Sequence, residues 1–351
     1  MTTETNMLPL KVTQVRGVVA NCIKGRKPVC ITGAPGIGKS QIVAAACAEV
    51  GARMMVLHPV TSDPTDYKGL PVMTVNGAEF SAYGDLRQII NATDPLAVFF
   101  DDLGNAPQSV QSAIMHLPEA RQINAHVIPD CVTFIAATNR RTDRTGVAGM
   151  IEALKKRFLM LELQPDLLEW QIFAAQRGIS NKVIAYLSLV AEEHPEYFLN
   201  EETTPDMSVN ANPRGWERVS DHMQLGHATD VLPAVFAGLV GKAAGAGFAS
   251  FLRVYDNMVM PEVVLANPDK APIPAEPSSL WALCSSLAHK VTPNTVGAYC
   301  RYMVRLVGIG KNEYVALSLK TMVARDPSLQ ATGDYINATC GPLGKLMMGG
   351  K

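Results

Sequence analysis

The feature that most constrains this chain is the stretch Gly33-Ala34-Pro35-Gly36-Ile37-Gly38-Lys39-Ser40, which follows the apolar run Val29-Cys30-Ile31 and precedes a helical pattern. Glycines at these spacings let the backbone turn its N–H groups onto phosphate oxygens. Lys39 neutralises the outer phosphates, the Ser40 hydroxyl holds Mg²⁺, and the helix N-terminus adds a favourable field. The strand before it and the helix after it distinguish this stretch from an ordinary Gly-rich turn.

The pattern around the loop alternates strands with helices. Val12, Val15, Val18, Val19, Cys22 and Ile23 mark a helix ending at Gly25, ahead of a strand over Pro28 to Thr32. After the loop, Gln41 to Val50 reads as helix with Gly51 as its stop, and Arg53 to Leu57 as a strand. Asn76-Gly77 is a type I′ hairpin signal, so an inserted hairpin near 72–82 is expected before a helix near Asp85 to Asn91. Leu96 to Phe100 is apolar without alternation, as in a strand buried on both faces, and it runs into Asp101-Asp102. Next come a helix with Val110, Ile114 and Leu117 inward, ended by Pro118, and a hairpin around Asn124-Ala125. A buried strand over Cys131 to Ala137, a short helix near Val147 to Leu154 and a last strand over Leu159 to Leu163 complete the series. Such alternation implies an α/β fold with a parallel sheet covered on both sides, whose ligands bind at the carboxyl ends of the strands. The loop, Asp101, Asp102 and Asn139 all fall at such ends.

Beyond Gln164-Pro165-Asp166 the strand signals stop. Trp170, Phe173, Val183, Ile184, Leu187, Val190, Trp216, Val219 and Met223 have helical spacing. The expected division is a nucleotide-binding core over 1–165, a helical lid over 166–228 and a helical extension over 229–351. The extension is interrupted by a proline-rich connector with Pro261, Pro268, Pro272, Pro274 and Pro277, and helices resume near Ser279, Pro293, Lys311 and Asp326. Val231 to Leu252 is long enough to cross a bilayer and carries one charge, Lys242. Placing Lys242 mid-membrane would cost about 2.5–3.5 kcal/mol, and the segment is rich in Ala and Gly. Phe236, Val240, Ala244, Phe248, Phe251 and Tyr255 recur at helical spacing, so a buried helix and no membrane span are expected.

A formal net charge of −1 over 351 residues provides no global basic field for nucleic acid or an anionic membrane. The 7 cysteines are scattered, with no pair at metal-ligand spacing, and read as reduced core residues of a cytoplasmic protein. The polar start through Asn6, without a signal-peptide pattern, supports the same compartment.

A carboxylate at the end of a buried strand downstream of the loop lysine is what nucleotide hydrolysis needs. Asp101 would hold Mg²⁺ directly or through water, and Asp102 would orient or deprotonate the attacking water. Asn139, on the adjacent strand, would hydrogen-bond that water or the γ-phosphate; read alone, it is equally a turn-forming asparagine. Phosphoryl transfer also calls for an arginine on the γ-phosphate, for which Arg157 and Arg214 are the candidates.

Together these residues resemble the ATPases associated with diverse cellular activities (AAA+), and within them the MoxR-like group. The resemblance rests on five motifs in order: the phosphate loop, Phe99-Phe100-Asp101-Asp102 as Walker B, Ala136-Ala137-Thr138-Asn139-Arg140 as sensor 1, Leu154-Lys155-Lys156-Arg157-Phe158 as the arginine-finger segment, and Asn212-Pro213-Arg214 as sensor 2. The Asn76-Gly77 hairpin looks like the helix-2 insert of that branch. The resemblance covers about residues 10–225 and implies a P-loop AAA+ αβα sandwich, followed by an α-helical lid and an all-α extension. It also implies ATP and Mg²⁺ as cofactors and a homo-oligomeric ring, usually a hexamer. Arg157 would then reach the neighbouring subunit's nucleotide, while Arg214 reports from the lid of its own subunit. The implied activity is remodelling or activation of a protein client, commonly one with a von Willebrand factor A domain. Asp102 departs from the usual second Walker B acid, Glu, by one methylene, which bears on turnover rather than on binding. Two other readings stand beside this one: a nucleotide-gated scaffold with little turnover, and a nucleic-acid motor. The second is opposed by the small size of the basic clusters, Arg140, Arg141 and Arg144, and Lys155, Lys156 and Arg157.

Overall fold

The computed structural model describes residues 7–75, 77–124, 126–140, 149–202, 207–255 and 259–347. Asn76 and Ala125 of the two hairpin turns, Arg141 and Arg144 of a basic cluster, and Val147 at the expected start of a short helix lie outside the described residues. The chain divides into two compact units, residues 1–166 and 167–351.

The first unit is built on a six-stranded sheet. In chain order its elements are β1 (Pro9–Leu10), α1 (Val12–Gly25), β2 (Val29–Thr32), α2 (Lys39–Glu49), β3 (Arg53–Leu57), α3 (Pro64–Lys68), β4 (Leu70–Thr74), β5 (Gly77–Ser81), α4 (Gly84–Ile90), β6 (Leu96–Phe100), α5 (Gln108–Ile114), α6 (Leu117–Ala120), β7 (Gln122–Ile123), β8 (His126–Val127), β9 (Val132–Thr138), α7 (Glu152–Lys155) and β10 (Leu159–Leu163). The sheet order is β1-β10-β2-β9-β6-β3, with every pairing parallel. This is the parallel sheet expected from the alternation and the P-loop AAA+ sandwich that the resemblance implies.

Packing follows the two-residue period of a strand. Phe100 and Phe134 stack with ring centroids 5.9 Å apart, and the edge of Tyr67 from α3 meets Phe100. They belong to a core that takes in residues of α3, α4, α5 and α6. Phe99 and Ile135, one position along, are fully buried on the opposite face, where α1 and α2 pack together. Each such side chain contributes about 1.5–3 kcal/mol by leaving water, which is why β6 reads as an unbroken apolar run and β9 as one interrupted only by Thr133 before Thr138 ends it.

The inserted hairpin is present as β4 paired with β5, Thr74 opposite Gly77. A second hairpin pairs β7 with β8 and turns through Asn124 at φ 49°. Two local expectations need correction, and one strand was not expected. Pro118 does not end the helix after Pro107: α5 stops at Ile114, and Pro118 sits in the first turn of α6, where it needs no N–H donor. The two-residue edge strand β1 is too short to leave a periodic signal. In the second unit, the proline-rich connector contains a helix, Pro261–Ala266, with Pro261 in its first turn.

The second unit is helical: α8 (Leu167–Arg177), α9 (Asn181–Val190), α10 (Pro213–Met223), α11 (Leu232–Val240), α12 (Lys242–Tyr255), α13 (Pro261–Ala266), α14 (Pro277–Lys290), α15 (Val296–Gly308), α16 (Asn312–Arg325), α17 (Gly333–Thr339) and α18 (Pro342–Met347). Trp170, Tyr186, Trp216, Phe236, Phe248 and Phe251 share one hydrophobic cluster, so residues on both sides of position 228 contribute to a common core. A second cluster, from Val264 to Leu343, centres on α14, α15 and α16. Val231 to Leu252 is not one helix. The chain breaks at Gly241, at φ 86°, into α11 and α12, which pack on each other. No helix among the described residues is long and apolar enough to cross a membrane.

The α11–α12 contact depends on the absence of a side chain at position 245. A Cβ on Gly245 would lie 2.5 Å from the Ala237 backbone nitrogen. Gly245→Ala is therefore expected to destabilise the second unit by about 1–3 kcal/mol. All 3 tryptophans, Trp170, Trp216 and Trp281, lie in this unit. A lowered urea midpoint in tryptophan fluorescence would show the effect, and an unchanged midpoint would refute it.

Candidate functional site

The loop between β2 and α2 takes its shape from two glycines with positive φ, Gly36 at 78° and Gly38 at 90°, conformations that L side chains rarely adopt. Lys39, the first residue of α2, is 7% exposed. Its Nζ donates to the carbonyls of Gly33 and Ala34, each at 2.9 Å, and to Asn139 Oδ1 at 2.7 Å. Asn139 follows β9, so the asparagine expected at a strand end stands against the loop lysine. Its Nδ2 donates in turn to Asp102 Oδ1 at 3.4 Å. Ser40 Oγ lies 3.3 and 3.4 Å from the two carboxylate oxygens of Asp101. A hydroxyl and a carboxylate converging in this way are hard oxygen donors of the kind Mg²⁺ takes.

Asp101 and Asp102 are positioned differently. The Asp101 N–H donates to the Leu57 carbonyl at 2.9 Å, extending the sheet by one residue. Asp102 turns into the left-handed region at φ 53° and begins a 3-10 turn, Leu103–Asn105. The turn aims the second acid away from the strand line and toward Asn139. Beneath the loop, burial pushes the Cys30 thiol up to about 12 against the opposing pull of Lys39, so it stays neutral and unreactive.

Arg157 is placed apart from this network. Its Nη1 donates to the Ala153 carbonyl at 2.6 Å, and its Nε lies 3.0 Å from Glu119 Oε2, an ion pair without hydrogen-bond alignment. Among the described residues, Arg157 bonds none of the loop residues. Arg214 lies in the second unit, exposed in the first turn of α10, whose N-cap Asn212 accepts from the Gly215 N–H at 2.9 Å. The structure thus brings together Gly33 to Ser40, Asp101, Asp102 and Asn139.

Residues 28–158, from the start of β2 to just past Arg157, match the family model of the AAA domain of the dynein-related subfamily. They form an AAA domain. No curated protein matches the chain. Among solved structures, the Thermotoga maritima RuvB Holliday junction branch migration motor aligns over 84% of this chain and 86% of its own, at 16% identity and a TM-score of 0.39. Brucella abortus NtrX in complex with ADP aligns over 93% and 65%, at 14% identity and a TM-score of 0.39.

Two polar residues of the AAA domain were not singled out by its motifs. Glu119 is the ion-pair partner of Arg157, and Gln111 is a fully buried glutamine on α5. Gln111 lies among inward-facing residues, and that misplaced polarity was its only signal.

The left-handed backbone of Asp102 makes a specific demand on substitution. Asparagine tolerates φ near +55°, whereas a β-branched residue is strained there. Asp102→Val should lower stability by about 1–2 kcal/mol relative to Asp102→Asn. Thermal melting followed by circular dichroism measures the difference, and equal melting temperatures would refute it.

Proposed function

We propose that the protein is a Mg²⁺-dependent ATPase of the MoxR-like branch of AAA+ that acts as a homo-oligomeric ring, hexameric by resemblance, and remodels or activates a protein client. The observation that supports this best is the continuous network Lys39–Asn139–Asp102 beside the Ser40–Asp101 pair, with Arg157 on a separate segment. In this reading the Gly33 to Ser40 backbone and Lys39 hold the phosphates of ATP, and Ser40 and Asp101 hold the metal. When bound, Mg²⁺ would neutralise phosphate charge. Asp102 takes a proton from the attacking water, and Asn139 orients that water or the γ-phosphate. Arg157 reaches the nucleotide of the adjacent subunit, and Arg214 contacts the nucleotide from the lid of its own subunit. We take that lid as 166–228 and the extension as 229–351. The five-motif order supports AAA+, and the β4–β5 hairpin supports the MoxR-like branch, and with it a client carrying a von Willebrand factor A domain in the cytoplasm.

A second reading, a nucleotide-gated scaffold with little turnover, is favoured by Asp102 itself. Its carboxylate is one methylene shorter than the usual Glu, and a shortfall of about 1 Å costs as much as a hundredfold in rate.

ATPase activity measured against protein concentration tests the proposal. Wild type should show specific activity that rises with concentration as rings assemble. Asp102→Ala and Arg157→Ala should each lose at least about a hundredfold in kcat, given the size of general-base and arginine-finger effects. Normal turnover by assembled Arg157→Ala would refute the trans assignment. Single-turnover rates that stay negligible with a client present would favour the scaffold.

A further inference from the structure

Gln111 is fully buried on α5, beside Val110, Ala113 and Ile114 of the main core. A primary amide in such a place is destabilising unless its donors and acceptor are used. Those of Gln111 are used, all on backbone groups. Its Nε2 donates to the Ala106 carbonyl at 3.0 Å and to the Gly149 carbonyl at 3.3 Å, and its Oε1 accepts from the Ile151 N–H at 2.8 Å.

The two ends of this bridge differ in what they carry. Ala106 closes the turn that Asp102 begins. Ile151 caps α7, whose single turn leads through Lys156 to Arg157 and is pinned by the buried Leu154 and Phe158. The same two stretches also touch directly: a Cβ on Gly104 would lie 2.1 Å from Thr138 Oγ1 and 3.6 Å from the Met150 nitrogen. The turn after Asp102, the end of β9 and residues 149–151 therefore form one close-packed block, with Gln111 as its polar staple.

We propose that Gln111 is a positioning residue for Arg157. By holding 149–151 against the Asp102 turn of its own subunit, it sets where Arg157 is presented to the neighbouring nucleotide. The inference rests on the reading of Arg157 as a finger acting in trans. Gln111 touches no nucleotide, so its loss should affect the site that a subunit completes for its neighbour and spare the site in its own loop.

Mixed rings separate these two effects. Asp102→Asn subunits lack the acid but keep Arg157, and Arg157→Ala subunits keep the acid but lack the finger. Mixing them should restore ATPase activity at interfaces where the first kind donates Arg157 to the second. Gln111→Met is then added to one kind at a time. In the finger donor it should lower the activity of the mixture at least about tenfold, since a displacement of about 1 Å costs as much as a hundredfold. In the acceptor it should leave activity and KM for ATP little changed. Equal losses in both arms would reduce Gln111 to a general structural role and overturn the proposal, as would full activity in the donor arm. Gln111→Glu in the donor should recover part of the loss, because its neutral acid form retains one donor and one acceptor. It also carries the comparison if Gln111→Met does not fold. If the two parent variants fail to complement at all, the trans finger is wrong and this inference falls with it, which differs from complementation that is insensitive to Gln111.

Discussion

Parallel pairing of β9 with β2 on one side and β6 on the other is the constraint on which the site depends. Thr32 stands opposite Thr138, and Phe100 opposite Ala136, so Gly33, Asn139 and Asp101 all emerge at one edge of the sheet. A strand rises about 3.3 Å per residue, and a slip of even one residue would carry Asn139 out of the 2.7 Å contact with Lys39. Alternation cannot set this register, since β6 and β9 are apolar on both faces. Two other features can. Phe99, Phe100 and Phe134 fill opposite faces with large side chains, and Asp101 marks where β6 must end. Drawing Asp101 one step into the sheet would bury an unpaired carboxylate at a cost of several kcal/mol.

The ammonium of Lys39 holds the strand ends together chemically. It has three N–H donors, and two loop carbonyls and the Asn139 side chain accept from it. A phosphate entering the loop therefore exchanges with bonds already made. The exchange is favourable because the incoming oxygens carry formal negative charge, whereas the carbonyl and amide oxygens they replace carry only partial charge. It also reaches Asp102: when Lys39 turns to phosphate, Asn139 Oδ1 is released, and the long Nδ2 contact to Asp102 Oδ1 can readjust. In the proposed reaction, phosphate binding and the setting of Asp102 would thereby be linked through one side chain.

What the amino-acid sequence discloses follows from which physics is local. The phosphate loop is legible because Gly36 and Gly38 need backbone freedom at fixed positions. The inner strands are legible because burial on both faces leaves continuous apolar runs, and Asp101 and Asn139 are legible as the polar residues that end them. Sheet order is not local, and β1 is two residues long. The division of Val231 to Leu252 at Gly241 was hidden because Phe236, Val240, Ala244, Phe248 and Phe251 converge on one core from two helices as they would from one. Gln111 and Glu119 escaped for a related reason. Their partners lie far along the chain, and no spacing rule connects position 111 with 149–151 or position 119 with 157.

The pairing of Arg157 with Glu119 bears on the trans role proposed for this arginine. The Glu119 side chain is 68% exposed and that of Arg157 23%, so the pair is wet on one side. Solvent-exposed pairs contribute about 0–1 kcal/mol, less than a guanidinium gains from a phosphate in a site closed to water. Glu119 therefore parks Arg157 without locking it. The backbone that carries Arg157 is held much more firmly, by the buried Leu154 and Phe158 and by the Gln111 bonds to 149–151. A rigid base whose tip is held by an exposed carboxylate and by the Ala153 carbonyl would suit the role on a neighbouring nucleotide proposed for Arg157. The base limits where the guanidinium can reach, and in the proposed role the Glu119 pair and the Ala153 bond would both exchange for phosphate.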